Sequence, residues 1–458
     1  MLTDTAGATI AKGWETLDQE VVLGDVAVEG ELPPWLEGTL VRNGPARYDE
    51  GQRHWFDGLA MLHRFAIGDG RVSYANRFLR TKAFAAAQDG RVGYREFASD
   101  PCRSLFRRVT SVFQPGFTDN AAVNVVRSGE EFLALTETPM PVRFDPRTLE
   151  TLGIAEPAPG STPTAHPHVD PATGELVNAA VHFGPRSSYV VSAKAPGARW
   201  RRIGTVPARE PGYLHSFALT ERHVVLVVGP LVVNPLKLAL SDRPFIENYR
   251  WVPERGTDVM ALDRRTGAIA GRWTVDPLFT FHHINAHETD GELVVDLCAY
   301  ADARIIDELY VDRLRGGAAT TLSAVPQRLR LPLGSDAARL EPLADVELEL
   351  PRIDNARNTR PYRVAWGISG FDAIARVDVT SGEVARWHED GCHPGEPVHV
   401  PAPDATDEDD GVLLSVVLDG NAGLSFLLVL DAATLDEVAR ARLPHHVPFG
   451  FHGHFYEG

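Results

Sequence analysis

Short apolar runs rich in β-branched residues recur along this chain, and Gly, Pro, Asn and Asp separate one run from the next. Apolar runs of this length between turn signals are strands more often than helices. The best candidate for an amphipathic helix is the segment 303–314. The chain is therefore predicted to be all-β. Its clearest strands lie at residues 122–126, 189–192, 224–228, 292–297 and 412–418.

One turn signature recurs between these runs. An Asp opens each turn, and Thr, Ser or Gly follows within four residues, at Asp145, Asp170, Asp263, Asp378 and Asp431. Because Asp can cap its own turn and Gly readily adopts a positive φ, these segments are predicted to be hairpin turns. Similar hairpins scattered over a long all-β chain are typical of a β-propeller. The irregular spacing gives no blade number, and no linker-like segment divides the chain, so residues 1–458 are interpreted as a single domain.

Composition narrows the classes of function. Of the 458 residues, 44% are hydrophobic and 23% are charged, as in ordinary soluble globular proteins. The net charge of -17 argues against nucleic acid as a partner, since phosphate binding needs a basic surface. The N-terminus does not resemble a signal peptide, and the most apolar run, 224–233, is too short to span a bilayer. Cys102, Cys298 and Cys392 form no metal motif and cannot all pair, which favours a reducing cytoplasm.

Histidine is the residue type that points most directly to chemistry. The signatures of phosphate loops, dinucleotide-binding folds, nucleophile elbows and zinc-protease helices do not occur in the sequence. Four histidines stand in distinctive local sequences: His166 in TAHPHVDP, His215 in YLHSF, His282 in FHHIN and His452 in GFHGHF. If they meet in space, they form an all-imidazole site with room for substrate, which suits a redox-active iron better than a closed structural zinc. Taken alone, each histidine is also compatible with a surface or hydrogen-bonded core position.

A rival metal site is present in the same region. His168 and Asp170 have the His-x-Asp spacing of the iron site built from two histidines and one carboxylate. Asp170, however, opens one of the recurring turns, where its carboxylate is expected to accept hydrogen bonds from backbone amides. A turn cap is therefore the favoured interpretation of Asp170.

Several further segments follow one another in an order that is specific to one family. They are ELPPWLEGTLVRNGP at 31–45, HWFDGLAMLH at 54–63, DPCR at 100–103, TDNAAVN at 118–124, LTETP at 135–139, ELPRI at 349–353, GEPV at 395–398 and DDGVLLSVV at 409–417. Together with the histidine segments they resemble the carotenoid cleavage oxygenases, in particular the animal-type branch that holds the β-carotene oxygenases and the vertebrate retinoid isomerase. The resemblance implies a seven-bladed β-propeller with a helical and loop cap over an iron site on its axis.

The resemblance also implies roles for individual residues. The iron(II) ligands are expected to be His166, His215, His282 and His452. Three glutamates are expected to fix the second ring nitrogen of three of these ligands, which also raises ligand basicity: Glu137 for His215, Glu349 for His282 and Glu396 for His452.

Three neighbouring residues complete the expected site. Thr136 matches the family residue that crowds one open coordination position. His283 is expected to face away from the metal. His454 shares the side-chain parity of His452 if the strand continues, but it is not expected to be a ligand.

A polyene substrate needs a long apolar tunnel with aromatic walls. The positions that match the family's tunnel wall are Phe56, Tyr213, Phe281, Tyr300 and Phe451. Aromatic rings at these positions could stabilise charge that develops on the polyene, and each could instead be an ordinary core residue. Leu59 and Ala60 replace the usual glycine-containing pair, and the chain is shorter than its animal relatives, which leaves tunnel length and cleavage position open.

Two segments combine large apolar residues with basic ones. They are 105–117, which contains Arg107 and Arg108, and 231–240, which contains Lys237. This combination suits a peripheral membrane contact, here on the inner membrane face, beside a lipid-borne substrate. The alternative interpretation is ordinary packing on the propeller surface.

The resemblance implies an iron(II)-dependent dioxygenase that cleaves a conjugated carbon–carbon double bond of a carotenoid or apocarotenoid with O2 and gives two carbonyl products. The expected protein is a cytoplasmic monomer. One alternative within the family is a stilbene-cleaving oxygenase, which would need a lysine that the segment 117–124 does not contain. The others are a retinoid ester isomerase and a non-catalytic propeller that only binds apolar ligands.

Overall fold

The computed structural model describes residues 9–48, 51–92, 95–99, 117–316 and 322–457. Within these residues, seven antiparallel sheets of four to six strands follow one another around a ring, and a two-stranded ribbon lies outside them. We number the sheets as blades I to VII in chain order. The prediction of an all-β, seven-bladed propeller is confirmed.

The first three blades are built from the N-terminal part of the chain and the last strand. Blade I contains β1 (Val22–Val26), β3 (Gly38–Arg47), β4 (Leu59–Gly68), β5 (Arg71–Phe78) and β34 (Gly453–Tyr456). Blade II contains β6 (Asn124–Ser128), β7 (Glu131–Leu135), β8 (Val142–Phe144) and β9 (Thr151–Ile154). Blade III contains β10 (Thr162–Pro163), β11 (His168–Val169), β12 (Leu176–His182), β13 (Ser188–Lys194) and β14 (Arg201–Pro207).

Two blades and the extra ribbon come from the middle of the chain. Blade IV contains β15 (Ala218–Leu219), β16 (His223–Val228), β19 (Thr257–Asp263) and β20 (Ile269–Val275). The ribbon pairs β17 (Leu231–Val233) with β18 (Tyr249–Trp251), and it is inserted between two strands of blade IV. Blade V contains β21 (His283–Thr289), β22 (Glu292–Ala299), β23 (Val325–Pro332) and β24 (Arg339–Pro342).

The last two blades close the ring. Blade VI contains β25 (Glu349–Arg352), β26 (Val364–Ser369), β27 (Ala373–Asp378) and β28 (Val384–His388). Blade VII contains β2 (Val28–Gly30), β29 (Cys392–Pro394), β30 (Val398–Pro401), β31 (Gly411–Asp419), β32 (Leu424–Asp431) and β33 (Glu437–Arg442). Closure is double, because the C-terminal β34 pairs with β3 and the N-terminal β2 pairs with β33.

Burial explains why the strands have their sequences. The middle strands lie between neighbouring blades and are buried on both faces, so β16 (HVVLVV) and β26 (VAWGIS) are buried along their whole length. β33 (EVARAR), which lies between β32 and the edge strand β2, has exposed and buried positions mixed along it. The apolar side chains form clusters between adjacent blades, for example between blades III and IV and between blades IV and V. This packing holds neighbouring blades together around the axis.

The Asp-initiated segments are hairpin turns, as predicted. The Asp145 side chain accepts hydrogen bonds from the amides of Arg147 and Thr148, both at 2.8 Å, between β8 and β9. Asp263, Asp378 and Asp431 accept the same pair of bonds from the residues two and three positions on. Each of these turns joins antiparallel neighbours of one blade.

Helices are short and lie outside the blades. They are α1 (Lys82–Gln88), α2 (Pro235–Leu240), α3 (Ile305–Glu308) and α4 (Val311–Arg315), with single 3-10 turns at Lys12–Trp14, Trp55–Asp57, Ile246–Asn248, Pro253–Arg255 and Asn355–Arg357. None of the helices in the described ranges has the length and apolar character needed to cross a bilayer.

The single helix predicted over 303–314 is wrong in one respect, because the segment forms two helices. The backbone between α3 and α4 is extended at Tyr310, which forms a bridge with His54. The amide of Trp55 donates to Leu309 and the amide of Val311 donates to Arg53, both at 3.0 Å. These long-range hydrogen bonds replace the ones that would continue the helix.

Candidate metal centre

The four histidines singled out in the sequence lie where the chain enters the inner strands of four blades. His166 lies between β10 and β11 of blade III, and His215 lies three residues before β15 of blade IV. His282 directly precedes β21 of blade V, and His452 directly precedes β34 of blade I. Because inner strands surround the propeller axis, this placement brings distant parts of the chain to the axis.

The four imidazoles form one cluster, which we call the imidazole cluster. Nε2 of His166 lies 3.0 Å from Nε2 of His215, and Nε2 of His282 lies 3.2 Å from Nε2 of His452. Ring nitrogens of His166, His282 and His452 all lie within 4.8 Å of one another. The rings themselves are 4.5 to 5.2 Å apart between centroids. Nitrogen atoms this close could hold a single metal ion.

Three carboxylates orient three of these rings. Nδ1 of His215 donates to Glu137 at 2.7 Å. Nδ1 of His282 donates to Glu349 at 2.5 Å, and Nδ1 of His452 donates to Glu396 at 2.7 Å. Each pairing is the one that the family resemblance implies. A carboxylate that accepts from Nδ1 fixes the tautomer in which Nε2 carries a lone pair, which is the form that binds a metal.

Every blade contributes one residue to this arrangement. Blades I, III, IV and V supply the histidines, whereas blade II supplies Glu137, blade VI supplies Glu349 as the first residue of β25, and blade VII supplies Glu396 between β29 and β30. The centre therefore exists only when the whole ring has formed.

The donor set fits a metal cation. With Nδ1–H of His282 and His452 donated to carboxylates, both Nε2 atoms carry lone pairs and face each other at 3.2 Å. Two such lone pairs repel unless a proton or a cation lies between or beside them. Burial lowers the pKa of His452 to about 4 and, with help from the neighbouring imidazoles, places the pKa of His166 well below its ordinary value, so both of these rings are neutral near pH 7. A bound cation satisfies these nitrogens.

Aromatic rings surround one side of the imidazole cluster. Phe56 stacks on His215 at 6.1 Å between centroids, and Phe281 contacts the same histidine edge-on at 5.0 Å. Phe56 also packs against Phe451 at 5.2 Å, and Phe281 packs against Tyr300 at 6.0 Å. Four of the five predicted wall residues thus lie together beside the cluster.

These rings line a largely apolar cavity. His215, His282 and His452 lie in its wall, together with Ile305 of α3 and Leu309, the residue that follows this helix. The remaining lining residues include Trp55, Leu322, Leu348, Leu350, Ile368 and Phe371. A ligand in this cavity would contact aromatic and aliphatic side chains and reach the imidazole cluster at one end.

Tyr213, the fifth predicted wall residue, has a different position. Its hydroxyl lies 2.9 Å from both carboxylate oxygens of Glu137 and 3.1 Å from Nδ1 of His215. Burial first, and then the Glu137 carboxylate, place the pKa of Tyr213 well above its ordinary value. The hydroxyl therefore stays protonated and donates to Glu137, so Tyr213 supports a carboxylate of the centre.

A second cavity meets the first at the imidazole cluster. Phe56, Val123 and His215 line both, and Thr136 and Glu137 line the second one. Val123 also accepts a hydrogen bond from the amide of His452 at 3.2 Å. Val123 could not be predicted as a site residue, since an apolar residue in the motif TDNAAVN has no local feature that separates it from a core residue.

The rival site around His168 does not form among these residues. His168 uses Nδ1 toward the Asn358 side chain at 3.1 Å and Nε2 toward the Phe217 carbonyl at 3.0 Å. Asp170 accepts from the Ala172 amide at 2.8 Å and from Arg264 at 2.5 Å. The interpretation of Asp170 as a turn cap is confirmed.

The extra histidines have their own environments. Nδ1 of His283 donates to the Ser216 hydroxyl at 2.7 Å, so this ring is turned toward blade IV. His454 lies within β34, opposite Val41 in the pairing with β3, and its ring packs against Tyr456 at 6.2 Å. Burial lowers the pKa of His454 to about 3, so the imidazole is neutral.

The predicted membrane-facing segments are described only in part. Residues 105–116, with Cys102 nearby, lie outside the described residues. In 231–240, β17 is buried, as is Leu238, so the segment is not exposed as a whole. Leu236 and Leu240 of α2, in contrast, are 70% and 62% exposed. The apolar surface that this segment presents is therefore one face of a short helix.

Comparison with known proteins supplies the family. The family model described as retinal pigment epithelial membrane protein (RPE65) matches residues 14–457. The chain is 38% identical to the carotenoid isomerooxygenase of Galleria mellonella, over 93% of this chain and 92% of that protein. It is 33% identical to the β,β-carotene 15,15′-dioxygenase of Rattus norvegicus, over 93% of this chain and 88% of that protein.

Solved structures agree with this result. The fold superposes on the cobalt-substituted apocarotenoid oxygenase of Synechocystis with a TM-score of 0.88 and 26% identity, covering 99% of both chains. The chain therefore belongs to the RPE65 and carotenoid oxygenase family.

Proposed function

We propose that this protein is an iron(II)-dependent dioxygenase that cleaves one conjugated carbon–carbon double bond of a carotenoid or apocarotenoid. Both atoms of O2 enter the products, so one alkene and one O2 give two carbonyl compounds. The observation that carries the proposal is the cluster of four imidazoles, three of them oriented by carboxylates, beside a cavity with aromatic walls. The relatives named above, a carotenoid isomerooxygenase and a β-carotene dioxygenase, support the same reaction class.

The imidazole cluster would hold the iron. An all-nitrogen donor set without thiolate suits a divalent redox metal, and four ligands leave coordination positions open. When bound, iron(II) supplies the redox chemistry through which O2 reacts with an alkene. Glu137, Glu349 and Glu396 keep the rings of His215, His282 and His452 in the metal-binding tautomer, and in this indirect way they support catalysis.

The aromatic rings would bind the polyene. Phe56, Phe281, Tyr300 and Phe451 would cover its faces beside the imidazole cluster and exclude water. Their negative ring faces can also stabilise positive charge that develops on the conjugated chain. Thr136 lies in the wall shared by Glu137 and His215, which is compatible with its proposed role of narrowing one open position at the metal.

The substrate would arrive from a lipid phase. The exposed residues Leu236 and Leu240 on α2, with Lys237 between them, are suited to lie in a membrane interface. We propose a protein that acts as a monomer in the cytoplasm, or attached peripherally to the inner membrane face, with an apolar polyene and O2 as its partners.

A product analysis with labelled oxygen tests the function. The protein is loaded with iron(II), incubated with a panel of carotenoids and apocarotenals under ¹⁸O2, and the products are identified by mass spectrometry at short times. One labelled oxygen in each of two carbonyl fragments supports the proposal. Conversion that proceeds without O2 would indicate an isomerase, and binding without any conversion would indicate a non-catalytic propeller. A stilbene in the panel tests the remaining alternative.

A further inference from the structure

Glu396 has surroundings that differ from those of the other two carboxylates. It is almost completely buried, with 1% of its side chain exposed. Its carboxylate accepts from His452 Nδ1 at 2.7 Å, from the Gly453 amide at 3.0 Å and from Arg352 Nε at 2.8 Å, and also from Arg42 Nη1. Burial alone would favour the neutral acid, but Arg352, His452 and Arg42 outweigh it and place the pKa of Glu396 well below its ordinary value.

The same two guanidinium groups also bind the backbone on both sides of His452. Arg42 Nη2 donates to the carbonyl of Phe451 at 2.9 Å. Arg352 Nη2 donates to the carbonyl of Gly453 at 2.5 Å. The residue before and the residue after this imidazole are thus each fixed by an arginine that is itself fixed by Glu396.

Glu137 and Glu349 are supported by neutral groups. Glu137 receives the Tyr213 hydroxyl in addition to His215, and Glu349 Oε2 receives the Leu350 amide at 2.9 Å in addition to His282. In the described part of the chain, a carboxylate held by two arginines at the imidazole cluster is found only at His452. Arg42 belongs to the segment LVRNGP, and Arg352 belongs to the segment ELPRI, which also contains Glu349.

The position of His452 in the fold explains this difference. His452 directly precedes β34, the four-residue strand that pairs with β3 and closes blade I. The other three histidines lie in the interior of the chain, with complete blades both before and after them in the sequence. Arg42 comes from β3 of blade I and Arg352 from β25 of blade VI, so with Glu396 they join three blades across the closure.

We propose that Arg42 and Arg352 are positioning residues that fix the closing strand β34 at the metal centre, so that metal binding and closure of the propeller stabilise each other. The inference rests on the proposed function only in requiring that the imidazole cluster binds a metal. Because linkage is reciprocal, a contact that holds His452 in place raises metal affinity, and bound metal in turn holds β34 in place.

The test compares Arg352→Met with a matched control. Arg328 is also a largely buried arginine, and it binds the buried Asp296 with two hydrogen bonds of 2.8 Å in blade V, but none of its hydrogen bonds reaches the imidazole cluster. Arg352→Met is expected to weaken iron(II) affinity about 10- to 100-fold, the usual cost of losing an outer contact to a ligand. Arg328→Met should destabilise the fold and leave iron affinity unchanged. Affinity is measured by competition with a chromogenic chelator.

Hydrogen exchange of the unaltered protein supplies a second measurement that needs no variant. Iron should slow amide exchange in residues 451–457 more than in β32, which lies in the next blade and outside the centre. Arg352→Lys keeps the positive charge but not the paired contacts, so its iron(II) affinity should lie between those of the unaltered protein and Arg352→Met. The inference would be overturned if Arg352→Met and the unaltered protein had equal iron affinity. It would also be overturned if the amide exchange rates of residues 451–457 were the same with and without iron. Absence of iron binding by the unaltered protein would instead overturn the proposed function.

Discussion

Replacing Glu349 with glutamine would remove one negative charge from the metal centre and leave the shape of the side chain almost unchanged. Glu349 Oε2 accepts from His282 Nδ1 at 2.5 Å and from the Leu350 amide at 2.9 Å. Both partners are donors, so the glutamine must turn its amide oxygen toward them. Both hydrogen bonds can therefore still form, but each becomes a weaker bond to a neutral acceptor because the carboxylate charge is gone.

The size of the effect follows from that difference. A hydrogen bond to a charged group contributes about 1.5–3 kcal/mol, and one between neutral groups contributes about 0.5–1.5 kcal/mol. The loss is then about 1–1.5 kcal/mol for the bond to His282, and about 1.4 kcal/mol corresponds to a factor of ten in an equilibrium constant. Glu349→Gln should thus weaken iron(II) affinity about tenfold, and turnover at limiting iron should fall in proportion.

The control is Glu347→Gln, two positions earlier in the chain. Glu347 lines the same cavity, but it is exposed and accepts a hydrogen bond from Ser323 at 2.5 Å. Iron affinity is measured by chelator competition, and unfolding is followed by calorimetry with and without iron. If Glu349→Gln binds iron as tightly as the unaltered protein, or if Glu347→Gln shows the same loss, Glu349 does not act through His282.

Other substitutions test separate parts of the structure. Glu396→Gln should destabilise the fold by about 3–5 kcal/mol in denaturant unfolding, because the buried Arg42 and the partly buried Arg352 lose their counter-charge. A loss below about 1 kcal/mol would contradict the role proposed for the two arginines. Phe281→Leu should lower kcat/KM for a carotenoid by up to about tenfold at unchanged iron content, since aromatic contacts contribute about 0.5–1.5 kcal/mol beyond burial, and a normal kcat/KM would remove it from the substrate wall. Leu236→Asp with Leu240→Asp should reduce sedimentation with liposomes at any salt concentration, and unchanged sedimentation would assign α2 to ordinary surface packing. His454→Ala should retain the iron content of the unaltered protein, and iron loss equal to that of His282→Ala would refute the ligand assignment.

Local chemistry accounts for the part of the fold that the sequence predicted well. The Asp145 turn depends on hydrogen bonds to residues two and three positions away, and such signals are visible in any sequence window. The strand β16, which is apolar after His223, likewise follows from burial on both faces. An all-β chain of hairpins is the direct consequence of these two patterns.

Long-range structure accounts for what the sequence did not predict. The blade number could not be derived from turn spacing, because residues 229–256 carry a ribbon and α2 between two strands of one blade. The helix predicted at 303–314 is interrupted because its centre pairs with the backbone around His54, about 250 positions earlier in the chain. Neither interaction leaves a signal near the residues that it changes.

The site shows the same difference between local signals and long-range contacts. The local patterns alone did not decide whether each of the four histidines binds a metal or lies in the core or at the surface. The expected set of metal ligands came from resemblance to a family. Tyr213 was assigned to the substrate wall because it is aromatic and adjacent to His215, yet its hydroxyl contacts Glu137. Arg42 and Arg352 were passed over, since an arginine beside prolines and glycines is ordinary until the fold places it on Glu396.

The geometry of the ring explains why such a site is assembled from residues so far apart. Each blade brings one chain segment close to the axis, and each of the seven blades supplies one histidine or one orienting glutamate. The rings of Phe56 and Phe281 lie beside the imidazole cluster and line the same cavity as Ile305 of α3. The scaffold thereby separates two tasks. The blades would determine how a metal is held, and the segments outside the blades, which carry Phe56 and Ile305, would determine what approaches it.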